Sequence, residues 1–141
     1  MPSVRSDSPA VIHRHGRVIV LVEDDSGLRT ALERVLSASG FDAHAYGSAE
    51  AVLADGFFVG ADCLIVDLNL PAMSGLDLVV RLRRRGVDAP AVVITALDKA
   101  SIRDEVQRCG IEHFLVKPFL GSALVRLVDS IVAGNSSRND H

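Results

Sequence analysis

Five short apolar runs recur along the chain, at residues 18–22, 41–46, 63–66, 90–95 and 113–116, with starts 22 to 28 residues apart. Each is of strand length, and the segments between them carry helical rather than alternating periodicity. Leu28, Leu32, Val35 and Leu36 repeat at i, i+4, i+7 and i+8, and Leu124, Leu127, Val128 and Ile131 at i, i+3, i+4 and i+7. Each pattern gives a helix one apolar stripe to lay against a sheet. Strand–helix alternation with right-handed crossovers predicts an α/β fold: an open, doubly wound sheet of five parallel strands with helices on both faces. Four runs are almost continuously apolar, as strands covered on both faces should be. The second, Phe41-Asp42-Ala43-His44-Ala45-Tyr46, alternates and is the expected edge strand. Gly40, Gly86 and Gly110 each close a helical stretch just before a strand, where a left-handed cap belongs.

Composition narrows the function. At 141 residues the chain is one domain, and 48% hydrophobic with 23% charged residues excludes wholesale disorder. A net charge of −3 leaves no overall positive field to hold nucleic acid or an anionic membrane. No apolar run approaches the ~20 residues of a transmembrane helix. Cys63 and Cys109 match no zinc or Cys-x-x-Cys spacing and read as small core residues. Residues 1–16 form a polar extension without the apolar stretch of an export signal, which makes the cytoplasm the expected compartment. The domain itself should occupy residues 17–133, with a polar tail over 134–141.

Ligand sites in such sheets lie at the carboxyl ends of the strands. The first strand ends in Glu23-Asp24-Asp25, the third in Asp67, the fourth in Thr95 and the fifth in Lys117-Pro118. If the first and third strands are neighbours, ~4.8 Å apart, Glu23, Asp24 and Asp67 crowd one pocket, and a proton or a cation must relieve the repulsion. A hard divalent ion with oxygen ligands does so, and Mg²⁺ typically takes one or two carboxylates, waters and a substrate phosphate. Asp25 or Ser26 fits the plainer role of helix cap. A carboxylate can be a nucleophile toward phosphorus, given a metal, a cation opposite and a hydrogen-bond donor. Asp67 with Asp24 and a metal, Lys117 and Thr95 contains those parts.

Val-Glu-Asp-Asp, Ile-Val-Asp-Leu-Asn-Leu-Pro-x-Met-Ser-Gly, Ile-Thr-Ala and Phe-Leu-Val-Lys-Pro-Phe together resemble the response-regulator receiver domain of two-component signalling, over about residues 17–133. The last stretch is similar to receivers of the nitrogen-fixation regulator group. The resemblance implies a flavodoxin-like strand order 2-1-3-4-5 and Asp67 as phosphoacceptor. It also implies Mg²⁺ (or Mn²⁺) on Asp24, Asp67 and the Asn69 backbone carbonyl, with Glu23 reached through water. Thr95 becomes the switch hydroxyl, Phe114 the aromatic switch partner, and the Lys117–Pro118 bond is expected cis. Implied partners are a sensor histidine kinase or histidine phosphotransfer protein and a downstream protein target met by the fourth helix, fifth strand and fifth helix. A phosphorylation-dependent homodimer is allowed, while no direct nucleic-acid or membrane contact is expected. Such a chain is a switch rather than an enzyme. Departures are Glu23 for the commoner aspartate and an apolar Leu97.

Two rivals use the same residues or fold. An aspartyl-nucleophile, Mg²⁺-dependent phosphatase would show two aspartates separated by one residue after the first strand and a cap insertion, neither of which is present. A flavin or nucleotide carrier would want G-x-G-x-x-G after a strand, also missing, and more aromatics than 4%. The expected context is a single-domain regulator, the alternative being the receiver part of a longer DNA-binding regulator.

Overall fold

The computed structural model describes residues 16–139; the polar extension therefore lies outside the described residues except for Gly16, as does the very end of the tail. The element order is β1 (Val18–Val22), α1 (Ser26–Ala38), β2 (Asp42–Tyr46), α2 (Ala49–Asp55), a 3₁₀ turn (Phe57–Gly60), β3 (Cys63–Asp67), α3 (Gly75–Arg84), β4 (Ala91–Thr95), α4 (Ala100–Arg108), β5 (His113–Val116) and α5 (Gly121–Asn139). The expected runs shift by one residue at three ends: β2 and β4 start one later, and β3 includes Asp67. Helix α5 continues into the polar segment after Gly134, beyond the apolar stripe that announces it.

The five strands form one parallel sheet in the order β2-β1-β3-β4-β5. Register pairs Val22 with Val66 and Asp67 with Ile94, which aligns the carboxyl ends of β1, β3 and β4. Alternating side chains leave the sheet on opposite faces, and each face has its own core. Val20, Val22, Leu64, Val66 and Val93 pack with Val52, Leu78, Val79, Leu82 and Val106 of α2, α3 and α4. Ile19, Leu21, Ile65, Val92 and Ile94 pack with Leu32, Leu36, Leu124, Val128 and Ile131 of α1 and α5.

β1, β3 and β4 are buried along nearly their whole length, whereas β2 is half-buried to exposed, as expected of an edge. β5 departs from its apolar sequence: all four of its residues are half-buried, because it forms the opposite edge. Gly40, Gly86 and Gly110 adopt positive φ at helix ends, as the sequence predicts, and Gly56 does so after α2. Cys63 is buried and Cys109 half-buried, both as free thiols. No helix among the described residues is long and apolar enough to cross a membrane.

Candidate functional site

The carboxyl edge of β1 carries Glu23, which is wholly buried, and Asp24, which is exposed. Asp25 caps α1, its Oδ1 accepting from the Leu28 amide at 3.1 Å, so the capping role expected for it is its actual one. Asp67 ends β3 at 4% exposure. Ligand oxygens of Glu23, Asp24 and Asp67 all lie within 4.8 Å of one another. Lys117, one residue past β5, projects its ammonium into this group. Its Nζ donates to Asp67 Oδ2 at 2.9 Å and stands 3.0 Å from Glu23 Oε1. The second contact is a charge pairing off hydrogen-bond alignment, since Glu23 Oε1 is buried without a hydrogen bond.

These contacts set the ionisation. Burial pushes the Glu23 carboxyl above its ordinary range, with the Asp67 charge adding to the rise, and Lys117 and the Asp25 amide oppose it only in part. Burial of the Lys117 ammonium favours its neutral form, but Asp67 and Glu23 outweigh it and the net shift is upward. One ammonium thus meets two buried carboxylates, with the Asp24 carboxylate beside them. A hard divalent cation fits the remaining charge: the donors are all oxygens, and Glu23 Oε1 is a buried acceptor still lacking a donor. Asn69 is at the site through its backbone, its amide donating to Asp67 Oδ1 at 2.9 Å.

Local sequence explains the loop that holds Asp67. Leu70 is buried and Met73 half-buried in the core beneath α2, α3 and α4, tethering the segment at both ends. Ala72 turns the chain at φ 61°. Ser74 then caps α3, its Oγ accepting from the Asp77 amide. Gly75 is required by close approach rather than by φ: a Cβ there would land on the Asp67 carbonyl oxygen. The glycine lets α3 start directly against the strand end that carries the carboxylate.

Thr95 and Phe114 stand apart from the charged group. Thr95 is fully buried, and its Oγ1 accepts from the Leu97 amide at 3.1 Å, which ties the hydroxyl to the turn between β4 and α4. Its backbone carbonyl accepts from the Lys117 amide at 2.8 Å, so the two residues share one ladder rung. Phe114 is half-buried against the core under α4, with the Arg103 guanidinium 4.3 Å from its ring centroid. The Lys117–Pro118 bond is cis.

One positioning residue escapes a reading of the sequence. Arg29 Nη1 donates to the Glu23 carbonyl at 2.8 Å and more loosely to that of Asp24 at 3.4 Å, fastening the loop that carries both carboxylates. Gly47 leaves it room, because a Cβ there would come within 3.0 Å of Nη1. The available signal was a cation in the first turn of a helix, where the dipole disfavours positive charge unless carbonyls compensate.

The chain matches the family model described as response regulator receiver domain over residues 19–129. It is 34% identical over 122 residues to the transcriptional regulatory protein PrrA of Mycobacterium tuberculosis, covering 84% of this chain and 51% of that protein. It is 31% identical over 108 residues to the transcriptional regulatory protein FixJ of Azorhizobium caulinodans, covering 77% of this chain and 51% of that protein. The chain thus spans about half the length of the curated relatives it matches. The fold matches that of the chemotaxis protein CheY4 of Vibrio cholerae with a TM-score of 0.77 at 22% identity, over 82% of this chain and 98% of that one.

Proposed function

The chain belongs to the response regulator receiver domain family of two-component signalling, and on that premise we propose that Asp67 accepts a phosphoryl group from a histidine kinase or a histidine phosphotransfer protein. The observation that carries this reading is the Lys117 ammonium held between Asp67, at 2.9 Å, and the buried Glu23, at 3.0 Å. In the transfer, an Asp67 carboxylate oxygen forms a bond to phosphorus as the phosphorus–nitrogen bond of phosphohistidine breaks. The departing imidazole nitrogen keeps the electron pair. Lys117 faces the charge on the transferring group, and the Asn69 amide holds Asp67 Oδ1 so that the carboxylate enters with its orientation set. Asp24, Asp67, the Asn69 carbonyl and, through water, Glu23 would hold Mg²⁺ or Mn²⁺, which supplies positive charge for the non-bridging phosphoryl oxygens.

Phosphorylation makes Asp67 a dianion beside Lys117, at the strand edge that also carries Thr95, and changes the face of α4, β5 and α5 that a downstream protein would read. A homodimer formed on phosphorylation would use the same face. The product is the chain's own phosphorylated form, so the activity is that of a switch, working in the cytoplasm where such kinases present phosphohistidine. The output it controls is a property of the whole pathway, and the transcriptional role belongs to the named relatives.

Acetyl phosphate with Mg²⁺ is expected to add one phosphoryl group by intact mass, and Asp67→Asn to take none. Chelating the metal should suppress labelling. Equal labelling of the wild type and Asp67→Asn would refute the assignment, and turnover of a generic phosphate ester dependent on Asp67 would replace it with a phosphatase.

A further inference from the structure

Between Thr95 and Phe114 lies a run of contacts made by the β4–α4 turn and by Arg103 of α4. Thr95 Oγ1 holds the Leu97 amide at 3.1 Å. The next residue, Asp98, accepts from Arg103 Nε through its Oδ1 at 2.6 Å. The same guanidinium sits over the Phe114 ring, its Cζ 4.3 Å from the centroid. An ion pair this exposed, with both side chains about half accessible, is ordinarily weak. This one is different in that its cation also lies over an aromatic face, so the guanidinium has a second partner besides Asp98. The two roles are held together by little else. α4 buries only Val106, Lys99 gives it no side-chain cap, and a cavity of about 300 Å³ opens between the helix and β5, bordered by Arg103, Ile111 and Phe114.

We propose that Arg103 is a positioning residue that couples the Thr95 hydroxyl to the Phe114 ring, through Asp98 on one side and its stack on the ring on the other. A hydroxyl has one donor and two acceptor sites. Thr95 can therefore donate to a newly arrived phosphoryl oxygen while still holding the Leu97 amide, and carry the turn with it. Asp98 moves with that turn, Arg103 moves with Asp98, and the ring loses or shifts its cover. The proposal rests on the phosphoacceptor reading only for what displaces Thr95; the coupling itself belongs to the unphosphorylated chain.

The test is a double-mutant cycle read at the ring. The full chain is prepared with 4-fluorophenylalanine, the Phe114 fluorine resonance is assigned by Phe114→Leu, and Thr95→Ala is made alone and with Arg103→Gln. Without any phosphodonor, Thr95→Ala is expected to move the Phe114 resonance in the wild-type background and to leave it in place in the Arg103→Gln background. Asp98→Asn, a change at an exposed side chain, cuts the same path and should behave like Arg103→Gln, which keeps the test usable if Thr95→Ala folds poorly. In that case the movement of the ring on phosphorylation takes the place of Thr95→Ala. Arg103→Lys keeps the charge beside Asp98 but not the planar stack, and should also lose the coupling. Equal movement of the resonance in both backgrounds, no movement in the wild type, or full coupling in Arg103→Lys would each overturn the proposal. Intact mass after acetyl phosphate is read on the same samples: Arg103→Gln should label as fully as wild type, and a wild type that does not label refutes the phosphoacceptor reading while leaving the cycle to decide the coupling.

Discussion

Lys117 compensates two buried carboxylates with one ammonium, and removing it leaves both without a cation. Breaking one side of a buried ion pair typically costs about 3 to 5 kcal/mol; with Lys117 itself 23% exposed, about 3 kcal/mol is expected for Lys117→Met. Urea unfolding should show that loss in metal-free buffer, and Mg²⁺ should restore part of it, because a divalent ion supplies the missing charge. Unchanged stability in Lys117→Met would mean that the pairing with Glu23 and Asp67 contributes nothing net to folding. A second residue sets the alkaline limit. Burial pushes the Cys63 thiol up to about 12 from an ordinary 9.0, with the Asp62 charge adding to it. Its folded pKa is raised, so its contribution is fully present below about pH 9 and is lost as pH rises toward the folded value. Over the first 1.5 units or so of that window the loss is roughly 2 kcal/mol. Tyr46, half-buried and donating its hydroxyl to Asp55 at 2.7 Å, is raised to about 12 and contributes with the same sign, as does Lys117. Cys63→Ala isolates the thiol: its urea midpoint should fall less steeply with pH above 9 than that of the wild type, and parallel slopes would contradict the assignment.

At the scale of elements, the β3–α3 connection is the tightest and α4 the loosest. Gly75→Ala places a methyl against the Asp67 carbonyl and must push α3 away from the strand end or twist the loop. Overpacking of this kind costs typically 1–3 kcal/mol, and here it should also weaken Mg²⁺ binding, measured by calorimetry, because the displaced backbone carries Asp67 and Asn69. Normal affinity in a folded Gly75→Ala would show that the close approach does not shape the site. α4 stands opposite in character. Its sequence shows a stripe of Ile102, Val106 and Cys109, of which the fold buries only Val106. That light anchoring was legible, as were the strand order's edge at β2 and the helix-ending glycines, because periodicity and φ requirements are local. The half-exposure of β5 was not legible: whether a continuous apolar run is central or at an edge depends on which strands pair, which the run itself does not encode. The same limit hid Arg29 and Arg103. Each works through carbonyls or a ring that the chain brings close only after folding, and neither residue type announces such partners.

Across the whole molecule, strands of one direction and aligned register place every chemically active strand end at one edge of the sheet, with two separate cores behind it. The cores hold the edge rigid, so the crowding of Glu23, Asp24 and Asp67 cannot relax by moving apart and persists as a standing demand for positive charge. A ligand that binds only the folded chain stabilises all of it by mass action, about 2.7 kcal/mol at a hundredfold excess over Kd. For a chain of 141 residues that amounts to a rise in melting temperature of several degrees, on the order of 5 to 10 °C. The rise should be absent or much reduced in Asp24→Ala and Asp67→Asn, which each take a carboxylate from the proposed metal site, and retained in Thr95→Ala, whose hydroxyl is engaged with Leu97 rather than with the carboxylates. Asp24→Ala carries a second expectation of opposite sign: without metal it should melt above the wild type, since one of three mutually repelling charges is gone. Thermal scans with and without Mg²⁺ check both. A wild type indifferent to Mg²⁺ would show that the folded chain does not bind it, and an Asp24→Ala that melts lower without metal would show that Lys117 alone already satisfies the cluster.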